Sequence, residues 1–106
     1  MNETDRSVID GIVVEQDLSF TLTGLRRACR SDDEAQLHAL VDEGVLAPSG
    51  RGPEDWVFDG ASLRVARTAL RLAHDLDLSV AGTALVLDLL ADIEVLKSRL
   101  RHAGLA

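Results

Sequence analysis

The sequence predicts a mainly α-helical domain, a helix-turn-helix body with a small wing hairpin and a long C-terminal helix. Three observations carry this expectation. Apolar residues recur at helical spacing in four separate stretches. A Pro/Gly-rich connection from Pro48 to Pro53 and a short aromatic run, Trp56-Val57-Phe58, interrupt the series after the second stretch. From Ser79 to His102 no helix breaker other than Gly82 intervenes, so one continuous helix is expected there.

Each element has a local reason. Leu18 to Phe20 reads as extended and leads into Thr21, a good N-cap for a helix over Leu22 to Cys29. Ser31 with Glu34 has the spacing of a capping box and predicts a second helix, its apolar side Ala35, Leu37, Leu40 and Val41, its end at Gly44. Asp59 caps a third helix over Gly60 to Leu76, with Val65, Ala66, Ala69, Leu72, Ala73 and Leu76 facing inward and Arg64, Arg67 and Arg71 outward. Ser79 caps the last helix. The division expected is an N-terminal extension at 1–17, in which Gly11 to Glu15 has the pattern of a short strand, a helix-turn-helix body at 18–78 and the long helix at 79–106.

The last helix carries the strongest pattern. Val86, Leu89, Ile93, Leu96, Leu100 and Ala103 are spaced alternately three and four apart, the seam of a coiled coil. Val80, Ala84, Leu87 and Ala91 make a second stripe on the opposite side. A helix with two apolar faces needs two partners. The domain body covers one, and a second subunit is the simplest cover for the other, so a homodimer is expected through Val86, Leu89, Ile93, Leu96 and Leu100.

Composition narrows the function classes. The chain has 106 residues, 46% of them hydrophobic but only 3% aromatic, so the core of a single domain must be aliphatic. The single Cys29 excludes an internal disulfide or a cysteine-rich zinc site. His38, His74 and His102 have no ligand-like spacing, no nucleophile is tied to a base, and the glycines form no phosphate-binding fingerprint. The expectation is a protein that is not an enzyme and uses no cofactor or metal. No stretch is long and apolar enough to span a membrane and the N-terminus lacks a signal pattern, which predicts cytoplasmic residence.

The formal net charge is −7, and its distribution matters more than its size. Between residues 31 and 59 lie Asp32, Asp33, Glu34, Asp42, Glu43, Glu54, Asp55 and Asp59 against Arg51 alone. In a DNA-binding helix-turn-helix the second helix enters the major groove, and carboxylates at its start oppose the phosphates. Nucleic acid is therefore disfavoured and a basic protein partner favoured. The Arg64, Arg67, Arg71 stripe keeps a DNA-binding transcriptional regulator as the alternative.

The order of elements resembles the MerR-type winged helix-turn-helix over residues 18–103. A narrower similarity lies in Trp56-Val57-Phe58-Asp59, then Arg71-Leu72-Ala73-His74-Asp75-Leu76-Asp77-Leu78, then Gly82, then Asp92-Ile93-Glu94-Val95-Leu96-Lys97. This run, 56–97, resembles the chaperone-modulator CbpM family, and the extension at the N-terminus does not. The resemblance implies a regulator that binds the J-domain of a DnaJ-like, CbpA-type co-chaperone, blocks its stimulation of Hsp70 and suppresses its DNA binding. J-domains present a basic helix, which suits an acidic modulator. The contact is expected around the start of the last helix, at Asp77, Leu85, Asp88 and Asp92, and next at Asp32, Asp33 and Glu34.

Overall fold

A computed structural model describes residues 18–105. The extension at 1–17, with its expected strand at Gly11 to Glu15, lies outside the described residues. In chain order the elements are β1 (Ser19–Phe20), α1 (Leu22–Ala28), α2 (Glu34–Asp42), β2 (Phe58–Asp59), α3 (Gly60–Leu76) and α4 (Val80–His102). The mainly helical class holds, and both expected bounds of α3 and α4 are met.

The two short strands close the body. They pair antiparallel, with Ser19 opposite Asp59 and Phe20 opposite Phe58. Phe58 thereby enters the core, where it is fully buried with Leu25, Leu37, Leu40, Leu46, Leu63, Ala66 and Ala69. This pairing departs from the expected wing hairpin. The partner of Phe58 is β1, not the Pro/Gly-rich connection, and the connection is closed only by an isolated bridge between Ser49 and Val57. Gly50 allows that closure. Its φ is +113°, and a Cβ there would stand 2.5 Å from the Asp55 carbonyl oxygen.

Side-chain caps start every helix. Thr21, Asp33, Asp59 and Ser79 accept from the backbone N–H groups of Gly24, Gln36, Ser62 and Gly82. The expected capping box at Ser31 does not form. Asp33 offers a carboxylate one residue ahead of Glu34 and starts the helix there, while Ser31 Oγ accepts from the Asp33 N–H in the preceding turn. Each helix also ends on a six-to-one backbone bond, such as Ser31 N–H to the Arg26 carbonyl and Leu78 N–H to the Ala73 carbonyl. Gly44 and Gly104 supply the left-handed residue for α2 and α4, but Arg30 (φ 57°) and Asp77 (φ 53°) supply it for α1 and α3.

The inward face of α3 is small. Leu63, Ala66, Ala69 and Ala73 are buried, whereas Val65 and Leu76, expected inside, are 38% and 58% exposed. The apolar arc of α3 is wide, and the body takes the side where alanines permit close approach. Similarly Ala35 points outward, not into the core. On α4 the body takes Val80, Thr83, Ala84 and Leu87. Thr83, fully buried, donates its hydroxyl to the Ser79 carbonyl at 2.9 Å, which removes the cost of an unpaired polar group. Beyond Leu87 the helix leaves the body: from Asp88 to His102 every residue is exposed except the half-buried Ser98. A helix of this length runs about 35 Å, and the radius of gyration, 15.8 Å, exceeds the roughly 13 Å of a compact chain of this size.

Two outcomes follow from this packing. Leu37→Ala empties a site with no exposure and lowers the unfolding free energy by about 3 kcal/mol in urea titration. The second concerns Asp59, whose carboxyl is held below the usual carboxylate range by the Ser62 backbone N–H first and the Ser62 hydroxyl second. Because the folded value is the lower one, this cap stabilises above the unfolded value and is lost as pH falls through the folded one. Asp59→Ala therefore lowers the melting temperature at neutral pH, and the gap to the parent closes in acid.

Candidate protein-binding surfaces

Three surfaces stand out, each built by a different element. The first is the outer stripe of α4. At 100° per residue, Leu85, Leu89, Ile93, Leu96 and Leu100 lie opposite Val80, Ala84 and Leu87. They are 44–59% exposed, and Val86 at the edge is half-buried. Leu90 and Val95 add further exposed apolar area on either side. The expected seam is thus one open face, and the residues expected to bind a partner border it. Leu85 belongs to the stripe itself, Asp88 and Asp92 flank it, and Asp77 stands at the corner that joins α3 to α4.

The second surface is the outward side of α2. The structure assigns the acids before and at its start to separate tasks. Asp33 is the N-cap. Glu34 accepts from the Thr23 hydroxyl at 2.8 Å and pairs with Arg26 at 3.4 Å, which ties α2 to α1. Asp32 is exposed and has no partner among the described residues. Further along, Leu22, Glu34, Ala35, His38, Ala39 and Asp42 line an open groove of about 350 Å³. Its position is fixed from both sides. The His38 ring packs on Trp56 with centroids 5.0 Å apart, and His38 Nδ1 lies 3.3 Å from the Asp42 carboxylate. Trp56 in turn meets Phe58 edge-on at 6.1 Å, so the groove is anchored to the core. Sequence reasoning placed the acids here but missed His38, Ala35 and Ala39; the signal available was that 35, 38, 39 and 42 share one helix face away from Leu37 and Leu40.

The third surface is basic. Arg67 Nη2 reaches the Ala28 carbonyl at 3.5 Å, so the α3 arginine stripe adjoins the C-terminus of α1 with its Arg26 and Arg27. Between them Cys29 is half-buried, and burial pushes its thiol up while Arg67 pulls the other way, which leaves it a weak nucleophile. Arginines at a helix C-terminus complement its dipole, which accounts for much of this cluster.

Among the described residues no group of His, Cys, Asp and Glu is placed to hold a metal ion. No helix among them is long and apolar enough to cross a membrane.

Comparison with known proteins bears on these surfaces. The family model for MerR HTH family regulatory proteins matches residues 21–103, which takes in all four helices. The chaperone modulatory protein CbpM of Coxiella burnetii is 32% identical over 96 residues, covering 91% of this chain and 90% of that protein. The CbpM of Pseudomonas putida is 42% identical over 59 residues, 56% of this chain, and the match spans 58% of that relative's length. Those two relatives carry the same name, and the longer match includes both the α2 groove and most of the open stripe. The chain belongs to the chaperone-modulatory CbpM family, on a MerR-type helix-turn-helix framework.

Proposed function

We propose that this protein is a non-enzymatic regulator that binds the J-domain of a DnaJ-like co-chaperone, blocks its stimulation of Hsp70 and suppresses its DNA binding. The observation that carries the reading is the similarity over 91% of the chain to a chaperone modulatory protein. The charge layout supports a protein partner over nucleic acid. The helix that would read a groove is preceded and opened by Asp32, Asp33 and Glu34, and each carboxylate near a phosphate costs affinity. A basic J-domain helix meets the same carboxylates favourably. Two acidic surfaces are available to it: Asp77, Leu85, Asp88 and Asp92 at the start of α4, and Asp32, Asp33 and Glu34 before and at the start of α2. The complex forms in the cytoplasm, where the co-chaperone works, and needs no cofactor.

The protein acts as a homodimer joined along α4 through Val86, Leu89, Ile93, Leu96 and Leu100. The support is the open stripe of large aliphatic residues at coiled-coil spacing, on a helix segment that the body leaves bare.

Mixing the protein with the J-domain of its cognate co-chaperone gives a complex that calorimetry detects at low salt and that weakens as salt rises. Absence of binding to that J-domain at any ionic strength defeats the reading. Sedimentation at micromolar concentration finds a dimer for the parent and a monomer for Ile93→Asp, since a carboxylate in an apolar seam costs several kcal/mol. A parent that sediments as a monomer removes the dimer.

A further inference from the structure

We propose that the groove on α2, and not the acidic border of α4, seats the partner, and that its occupant is a basic amphipathic helix. This rests on the reading of the chain as a protein-binding modulator. The occupant lays an aliphatic side chain on the floor made by Leu22, Ala35 and Ala39 and sets lysines or arginines against Asp42 and Glu43.

The argument begins with a conflict in α2. A helix C-terminus carries partial negative charge, so a cation in the last turn stabilises it and a carboxylate there destabilises it. The last turns of α1, α3 and α4 contain Arg26 and Arg27, His74, and Arg99, Arg101 and His102. The last turn of α2 contains no basic residue. It ends instead in Asp42 followed by Glu43, and the stretch from 31 to 50 has no Lys or Arg at all. Inside the fold the Asp42 carboxylate meets only the His38 ring one turn back, at 3.3 Å, and Glu43 meets no partner among the described residues. Two carboxylates against one imidazole, at the end where the dipole opposes them, mark a place selected for something else, and the remaining gain is a cation supplied from outside.

The groove gives that cation an address. Two alanines one turn apart leave room for a partner backbone to come close, and Leu22 provides an apolar wall. At the N-terminal end Arg26 already pairs with Glu34, whereas at the other end Asp42 has only the His38 ring and Glu43 has no partner among the described residues, so the excess negative charge lies there. His38 is held between Trp56 and Asp42, and a wall already in place loses little side-chain freedom on binding. Apolar floor, acidic end and rigid wall together are the reverse image of a helix with aliphatic and basic residues on one face. The stripe beside the α4 border has instead the regular spacing that a second α4 fits.

Charge reversal tests the assignment, because Asp42→Lys with Glu43→Lys puts cations where the helix dipole wants them, and Glu43→Lys alone, which keeps the Asp42 contact to His38, weakens binding in the same direction. The double variant melts at or above the parent temperature and binds the J-domain at least roughly tenfold more weakly at low salt, the loss expected for turning attraction into repulsion. Asp75→Lys with Glu94→Lys, the same change in net charge on other surfaces, binds within about threefold of the parent. Parent-like binding by the Asp42 and Glu43 variant overturns the groove while leaving the modulator reading intact. So does loss of binding on reversal of Asp88 and Asp92 alone.

Trp56 is the single tryptophan and packs on the groove wall, which gives a second readout. A synthetic helical peptide with leucines and lysines on one face and no tryptophan shifts Trp56 emission in the parent and not in the double variant. That result upholds the groove even if no J-domain binds. A peptide that leaves Trp56 emission unchanged, together with no J-domain effect, overturns it.

Discussion

Burial of Phe58 is the contact on which the body of this protein depends. The chain has few aromatics, and this one is placed where a two-residue strand pair, α1, α2 and α3 converge. Its strand partner Phe20 lies one residue before the cap of α1, and its successor Asp59 is the cap of α3. One pairing therefore sets where two helices begin. Trp56 meets it edge-on and packs on His38, so the same contact also fixes one wall of the α2 groove. Core and surface are linked here through a chain of three rings.

That arrangement explains which parts of the fold were legible in the sequence. Helix starts and ends are local, decided by one capping side chain and a few backbone bonds, and the bounds of α3 and α4 could be read directly from Asp59, Leu76, Ser79 and His102. The start of α2 differs from the expected one for an equally local reason, since Ser31 and Asp33 both offer an acceptor and Glu34, which a capping box at Ser31 would need, is engaged by Thr23 and Arg26 instead. Long-range choices were not legible. Nothing in Trp56-Val57-Phe58 says that its partner is Ser19–Phe20 and not the adjacent glycine-rich connection. Nothing in the wide apolar arc of α3 says that the body takes Leu63 and the alanines and leaves Val65 outside.

The candidate surfaces divide along the same line. The α4 stripe was visible beforehand because periodicity is a property of the sequence, and the structure adds that the stripe faces away from the body. The acidic start of α2 was also visible, but its charges are not equivalent. Asp33 and Glu34 also serve the fold and Asp42 meets His38, whereas Asp32 and Glu43 have no partner among the described residues. Counting carboxylates along the chain overstated the first turn and understated the last.

This redistribution bears on which charged partner a helix-turn-helix framework can meet. Removing basic residues from a recognition helix would be enough to weaken phosphate contacts, since those contacts supply much of the affinity. The chain goes further and places carboxylates at both ends of α2, including the end where the helix dipole opposes them. At the first end they are absorbed by a cap and by Arg26. At the second end the last turn holds no cation, and only His38, one turn back, meets Asp42. A surface that only had to reject DNA would need no charge at the unfavourable end. The docking of a cationic helix proposed above would supply the countercharge that this end of α2 lacks.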